Sequence, residues 1–326
     1  MLDGAVTRSQ GEQRRGGPCV KTVPAPLDLS AHLVRRGHNG ALVTTHLAIM
    51  KAGDEQRLEA FLQRMPEVTM LLRANLRNEG LLDEGRALQG TWVAAIEGDV
   101  VVGVAAHFHR GTMVLAAPAH AEQVAVRCAA ASGRAVAGLL GPWLQVQRAR
   151  DALGMQAMQA QLDGPELLFA LELRDLAVPA PLRDGQLTWH RAEVAERDLL
   201  ASWRIAYHVE TLGASDTDQT RVIAEAEIDR AIGAGDIYVL SAEQRPVACS
   251  AINARLPDMV GVSGVWTPPE LRCRGYGRAA VAASLLSERA AGVERAVLFT
   301  DAANYAKRAY EAIGFRVVGD YGLVLW

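Results

Sequence analysis

The chain has 326 residues, half of them hydrophobic, with 34 Lys+Arg against 37 Asp+Glu and a formal net charge of −3. That length admits two compact domains with real cores. The near-balanced charge gives no electrostatic case for nucleic acid or a membrane surface, and no apolar run reaches the length of a membrane helix.

Residues 1–43 are rich in Gly, Pro and Arg and show little periodicity, as in "GEQRRGGPCVKTVPAPLDLS". This reads as a flexible tail or an overlong start of the reading frame. Arg35-Arg36 before "GALVTTHLAIM" faintly resembles a twin-arginine signal, but His46 and Lys51 interrupt the apolar run behind it. Cys19, Cys128, Cys249 and Cys273 lie at no metal-ligand spacing and suggest no disulfide frame. A reducing, cytoplasmic location is therefore expected. His107 and His109 would share one side of a strand, but two histidines with no third ligand make no metal site, and no metal is expected.

In chain order, a helical pattern in "DEQRLEAFLQRM" precedes three strand-like runs in 91–118. A helix over about 119–132, a strand in "RAVAGLL", a helix in "PWLQVQRARDALGM" and a strand in "ELLFALELRDL" come next. After the Pro- and Gly-containing stretch 178–185 the order repeats. Helices in "AERDLLASWRIAYHVETL" and "TRVIAEAEIDRAIGAG" precede three strands in 236–269, then a helix over 275–291, "AVLFTD", "NYAKRAYEAIG" and "FRVVGDYGLVLW". The polar turns Glu97-Gly98-Asp99 and Glu243-Gln244-Arg245 are hairpin-like in both halves. The fold expected is a mixed α/β (α+β) sheet built twice: a tail at 1–43, a first copy at 44–180 and a second at 187–326.

The second copy carries "TPPELRCRGYGR" between a strand ending at Trp266-Thr267 and a helix. Glycines at a helix mouth let backbone N–H groups approach an anion, and the helix dipole favours it. Arg272, Arg274 and Arg278 add positive charge, so a pyrophosphate suits the loop. No Gly-Lys-Ser/Thr is present after it, which excludes a Walker loop. Gly275-x-Gly277-x-x-Ala280 matches a minimal dinucleotide fingerprint, with Asp301 where a ribose-binding acid could sit. However, "PPELRCR" separates the strand from the first glycine, and too little chain remains for a doubly wound sheet.

"GVWTPPELRCRGYGRAAVAASL" together with "LFTDAANYAKRAYEAIGFRVV" resembles a GCN5-related N-acetyltransferase (GNAT), and within that superfamily the FR47-like group. Arg272, Gly275 and Gly277 match the family's loop; Asn304, Tyr310 and Gly314-Phe315 match its late helix. Cys273 stands where Gly is commonest. The resemblance covers about 187–326. It implies acetyl-CoA as co-substrate, held by Val265, Trp266 and Thr267 on the strand, by the loop Arg272, Cys273, Arg274, Gly275, Tyr276, Gly277 and Arg278, and by Asn304. It also implies that Tyr310 protonates the departing sulfur. The first copy has "APAHAEQ" at the matching place, without Gly-x-Gly or arginines, and its late helix has no Tyr, so it reads as a degenerate copy.

Acetyl transfer needs a neutral amine, and an alkyl ammonium has a pKa of about 10.4, so a base or a water path must take its proton. No motif fixes the base. Glu210 is the leading candidate, with Glu225, His208, Asp301 and a water chain open beside it. The expected function is N-acetylation of a primary amine of a small molecule or amino acid. Acylation of a protein or peptide amine and a non-catalytic acyl-CoA sensor are the alternatives. The acceptor and the oligomeric state, a homodimer included, are left open.

Overall fold

The structure, a computed structural model, describes residues 33–36 and 42–326, with side chains from Thr44 onward. The first copy contains β1 (Leu33–Arg36), β2 (Leu42–Ile49), α1 (Glu55–Leu62), α2 (Met70–Glu79), β3 (Gly90–Glu97), β4 (Val100–Phe108) and β5 (Thr112–Ala116). It continues with α3 (Ala121–Ser132), β6 (Gly138–Gly141), α4 (Trp143–Ala152) and β7 (Leu162–Glu172). A single helical turn, α5 (Ala180–Arg183), connects it to the second copy. That copy runs β8 (Leu187–Arg191), α6 (Arg197–Thr211), α7 (Asp218–Ala234), β9 (Ile237–Ala242), β10 (Arg245–Arg255), β11 (Met259–Trp266), α8 (Tyr276–Ala290), β12 (Arg295–Asp301), α9 (Ala306–Glu311) and β13 (Arg316–Leu325).

The local sequence accounts for these elements. Glu243 and Gln244 both adopt positive φ, the conformation a tight hairpin turn between β9 and β10 requires. The Thr217 hydroxyl accepts from the Thr220 N–H to start α7, and Gly235 ends it in a left-handed conformation. Most of the segment expected as a tail lies outside the described residues, but Leu33–Arg36 within it pairs antiparallel with β2. The stretch 178–185, read as a linker, is docked: Pro179 precedes α5, and Leu182 is buried. His107 and His109 do not share a face. His107 is buried with Nδ1 2.7 Å from the Ser132 hydroxyl, while β4 ends at Phe108 and His109 lies exposed in the turn beyond it.

The thirteen strands among the described residues form one sheet, in the order β1-β2-β3-β4-β5-β6-β13-β7-β12-β11-β10-β9-β8. The final strands are exchanged. β7, which ends the first copy, pairs along the whole of β12, from Asp301↔Glu166 to Arg295↔Glu172. β13, which ends the second copy, pairs with β6 of the first. The two exchanged strands pair antiparallel with each other at the centre. Each copy's sheet is therefore completed by the other's last strand.

The cores reflect this exchange. Phe169 and Leu171 of β7 lie in one buried cluster with Leu298, Tyr310, Ile313 and Phe315, beneath α8 and α9. On the opposite face Leu200, Trp203, Ile228 and Trp266 pack under α6 and α7. Helix α2 of the first copy also reaches the second, through Met70 and Ala74 against Leu256, Met259 and Val297.

Candidate active site

The strands β11 and β12 run parallel and are paired only at Met259–Gly261 with Arg295–Val297. Beyond that point their pairing ends. β12 continues against β7 on its other side, so the facing edges of Val262–Trp266 and Leu298–Asp301 are unpaired with each other. β11 also carries an irregularity here: its register against β10 slips between Ala251↔Ser263 and Cys249↔Trp266, with Gly264 at φ +55°. Such a bulge re-aims peptide groups out of the ladder.

The loop after β11 leads into α8. Cys273 (φ +62°) and Gly275 (φ +79°) are both left-handed, and Gly275 caps the helix. The first bond of the helix is donated by Ala279 N–H to Gly275 carbonyl at 3.0 Å. The N–H groups of Tyr276, Gly277 and Arg278 therefore have no acceptor within the helix, and left-handed residues before them turn further N–H groups inward. At Gly277 a Cβ would stand in contact with the Thr267 hydroxyl, at 3.4 Å, so loop and strand lie side by side here.

The loop's three arginines do different things. Arg272 forms a bidentate pair with Glu210, at 2.6 and 2.9 Å, stacks 4.9 Å from the Trp266 ring and donates to the Thr267 carbonyl. It fastens the loop to α6 instead of offering charge to an anion. Arg274 reaches only the Glu270 carbonyl, at 3.4 Å. Arg278 Nε is buried without a hydrogen-bond partner among the described residues. Two cations without a carboxylate partner among the described residues, an orphaned buried donor and free helix N–H groups fit a pyrophosphate. The Trp266 ring is buried against α6, 6.4 Å from Tyr207, so its backbone is what is left to face a ligand. Val265 packs against the α8 side of the sheet. Asn304 accepts from Ala306 N–H at 2.9 Å and so shapes the start of α9, with its side chain exposed.

Tyr310, on α9, lies in the core cluster that includes Val262 and Leu298, the first residues beyond the β11–β12 pairing. Its ring is edge-on to Phe169 and Phe315, at 6.3 and 6.1 Å, and burial pushes its phenol well above the ordinary value, with the nearby Tyr207 and Glu166 adding to the shift. The hydroxyl is thus held protonated at neutral pH.

The base candidates are sorted by their partners. Glu210 has both oxygens on the Arg272 guanidinium, so geometry assigns it to fastening the loop and not to accepting a proton. Glu225 lies 3.5 Å from Arg197. Asp301 accepts from Ala303 N–H at 2.6 Å and caps the turn into α9. His208 is bonded to Glu227 at 2.9 Å, and Glu227 also takes Arg204 at 2.8 Å. Although burial opposes it, these partners hold the Glu227 carboxyl down at about 2. A carboxylate absent from the sequence-based reading, Glu166, sits across from Asp301 and Tyr321 in the ladder. Burial, with the adjacent Asp301 charge, lifts it to about 7. It belongs to the first copy, so nothing in the second copy's sequence could have pointed to it.

In the first copy the matching ground is filled. Gln145 Oε1 accepts from the Ala117 N–H at 2.7 Å, at the end of β5. His120, left-handed at the start of α3, is fixed by Glu97 at 3.1 Å. Among the described residues no group of three or more His, Cys, Asp or Glu is placed to hold a metal, and no helix is long and apolar enough to cross a membrane.

Residues 198–315 match the sequence model of the family described as Acetyltransferase (GNAT) family. A search of curated proteins finds no match. Among solved structures, a Drosophila protein superposes with a TM-score of 0.59 at 12% identity, over 86% of this chain and 98% of that one. A tandem GNAT protein from the clavulanic acid biosynthesis pathway gives 0.50 at 10% identity, over 86% and 97%. The GCN5-related glucosamine N-acetyltransferase region of a fungal multi-domain GH3 beta-N-acetylglucosaminidase gives 0.52 at 14% identity, over 88% of this chain and 38% of that one. At these identities the likeness is one of fold. Residues 198–315 thus match the GNAT acetyltransferase family, and the chain carries the tandem GNAT fold in a single continuous sheet.

Proposed function

We propose that the chain is an acetyl-CoA-dependent N-acetyltransferase, with one working site in the second copy, acting in the cytoplasm on a primary amine of a small molecule or amino acid. One observation carries the reading. The unpaired ends of β11 and β12 lie in the sheet beneath α8, whose N-terminus offers free N–H groups, and Tyr310 of α9, its hydroxyl protonated, is packed in the same core. The loop N–H groups, Arg274 and Arg278 would hold the pyrophosphate, each charge-assisted hydrogen bond contributing about 1.5–3 kcal/mol. The open edge of β11 near Val265–Thr267 would hold the pantetheine amides and give the developing oxyanion a donor. Tyr310 would pass its proton to the leaving sulfur.

The acceptor would approach from the α6–α7 side, where Tyr207, His208, Arg204 and Glu227 lie together. A mass-spectrometric screen of amino acids and other primary amines with acetyl-CoA tests the reading. Acetylation of small amines supports it; acetylation of peptides alone would assign a protein acceptor, and tight acetyl-CoA binding without any transfer would make the chain a sensor.

A further inference from the structure

The acceptor face of the second copy receives one strand from the first. β7 lies between β12 and β13, and its residues alternate between the two faces of the sheet. Leu167, Phe169 and Leu171 pack under α8 and α9. Leu168 and Ala170 fall on the other face, beside Tyr321, Phe299 and α2. Glu166 has the parity of Leu168. It therefore stands on the acceptor face, at the end of β7 that runs along the part of β12 beyond its pairing with β11.

Asp301 from β12 and Tyr321 from β13 stand beside Glu166 on its own face of the sheet; Tyr207 from α6 and Tyr310, across the sheet on α9, are also near it. The phenols of the last three all feel its charge. Behind Tyr207, Arg204 and His208 are both taken by Glu227. No cation and no hydrogen bond from a described residue offsets the Glu166 carboxylate. It is also the carboxylate of this group without a partner already in place: Glu210 is on Arg272, Asp301 on Ala303 N–H and Glu227 on His208 and Arg204.

We propose that Glu166, carried into the second copy's sheet by the exchanged strand β7, is the base that takes the proton of the acceptor ammonium. The inference rests on the acetyltransferase reading above. Glu166 accepts one proton from R–NH3+, leaving a neutral amine on the acceptor face. The nitrogen lone pair forms the C–N bond to the acetyl carbon, and the C–S bond breaks. Tyr310, on the opposite face, gives its proton to the sulfur and is refilled by the second proton lost from nitrogen. The proton on Glu166 leaves to solvent. The overall change is R–NH3+ plus acetyl-CoA to R–NH–acetyl, CoA-SH and one proton. The first copy, whose own loop is closed, would thus supply an essential group to the other's reaction.

The test uses full-length protein, thiol release from acetyl-CoA with a mixed pool of primary amines, and acetyl-CoA affinity by calorimetry. If the pool yields no transfer, slow thioester hydrolysis is read instead, since water also needs its proton taken. Glu166→Gln should lower the rate at least 10²-fold with acetyl-CoA affinity within twofold of wild type. The rise of the wild-type rate with pH, centred near 7, should disappear, and Glu166→Asp should restore part of the rate. Glu166→Gln with wild-type rate and pH profile would overturn the proposal and leave the acetyltransferase reading standing. A parallel loss of acetyl-CoA binding would also overturn it, as it would mark a structural role. Absence of both transfer and hydrolysis in wild type would overturn both readings.

Discussion

Phe169 belongs to the first copy by sequence and to the second by packing, so its truncation distinguishes an exchanged sheet from two independent domains. The ring is fully buried, edge-on to Tyr310 at 6.3 Å, and lies among Leu298, Ile313 and Phe315. Phe169→Ala removes that ring from a site walled by a paired strand on each side, which leaves little scope for collapse. Such truncations cost about 3–5 kcal/mol, and the aromatic contact places this one toward the upper part of that range. Urea denaturation should show one transition in the wild type, by far-UV circular dichroism and by tryptophan fluorescence alike. Both copies report, since buried tryptophans include Trp92 in the first and Trp203 and Trp266 in the second. In Phe169→Ala both signals should move together to lower urea. Two separated transitions, with only the first copy's displaced, would refute the exchange as an energetic coupling; so would a loss under about 1 kcal/mol.

Gly277→Asp puts a side chain against Thr267 and a negative charge at the α8 mouth, so acetyl-CoA binding measured by calorimetry should weaken at least tenfold, about 1.4 kcal/mol, in a folded protein. Tyr310→Phe keeps the ring packing and removes the proton. Single-turnover rates should fall by about 10²-fold while acetyl-CoA affinity holds, and an unchanged rate would leave Tyr310 as core only. Glu166, lifted from 4.5 to about 7, stays protonated in the folded state where the unfolded chain has ionised, so its contribution to stability falls as pH rises from about 4.5 through about 7. Glu166→Gln should therefore stabilise the protein by about 2 kcal/mol at pH 8, after discounting for its partial exposure, and by nothing at pH 4, as read from urea midpoints.

Much of the repeated order was legible because it is local. The three-strand blocks, the hairpin turns at Glu97–Asp99 and Glu243–Arg245, and the loop-to-helix step at Gly275 all depend on neighbouring residues. Strand partners do not. "ELLFALELRDL" reads as a strand in either copy, and the 14 residues from Leu173 to Gln186 let the chain leave β7 on the far side of β12. The same distance hides the site. Glu210 and Arg272 are 62 residues apart, and their pairing comes from α6 lying beside the loop, which no periodicity announces. Glu166 sits in an unremarkable apolar run and gains its meaning only when β7 crosses into the other sheet.

The exchange also gives a physical role to the first copy, which lacks the second copy's glycine loop. Without β7, Arg295–Asp301 would be an open edge, and Phe169 and Leu171 would be missing from the core that holds Tyr310. Unpaired edges invite pairing with other chains. Without β13, Leu139 and Leu140 of β6 would lose their partner in the same way. Each copy thus holds the other's last strand, and a copy with a filled loop still has a physical function. On one face of β7 the odd positions fill the core under the second copy's α8 and α9; on the other, Leu168 and Ala170 lie beside Phe299, Tyr321 and helix α2. Under the proposed function, substitutions in 166–171 should track acetyl-CoA turnover more closely than substitutions in "APAHAEQ", although that stretch occupies the matching place to the second copy's glycine loop.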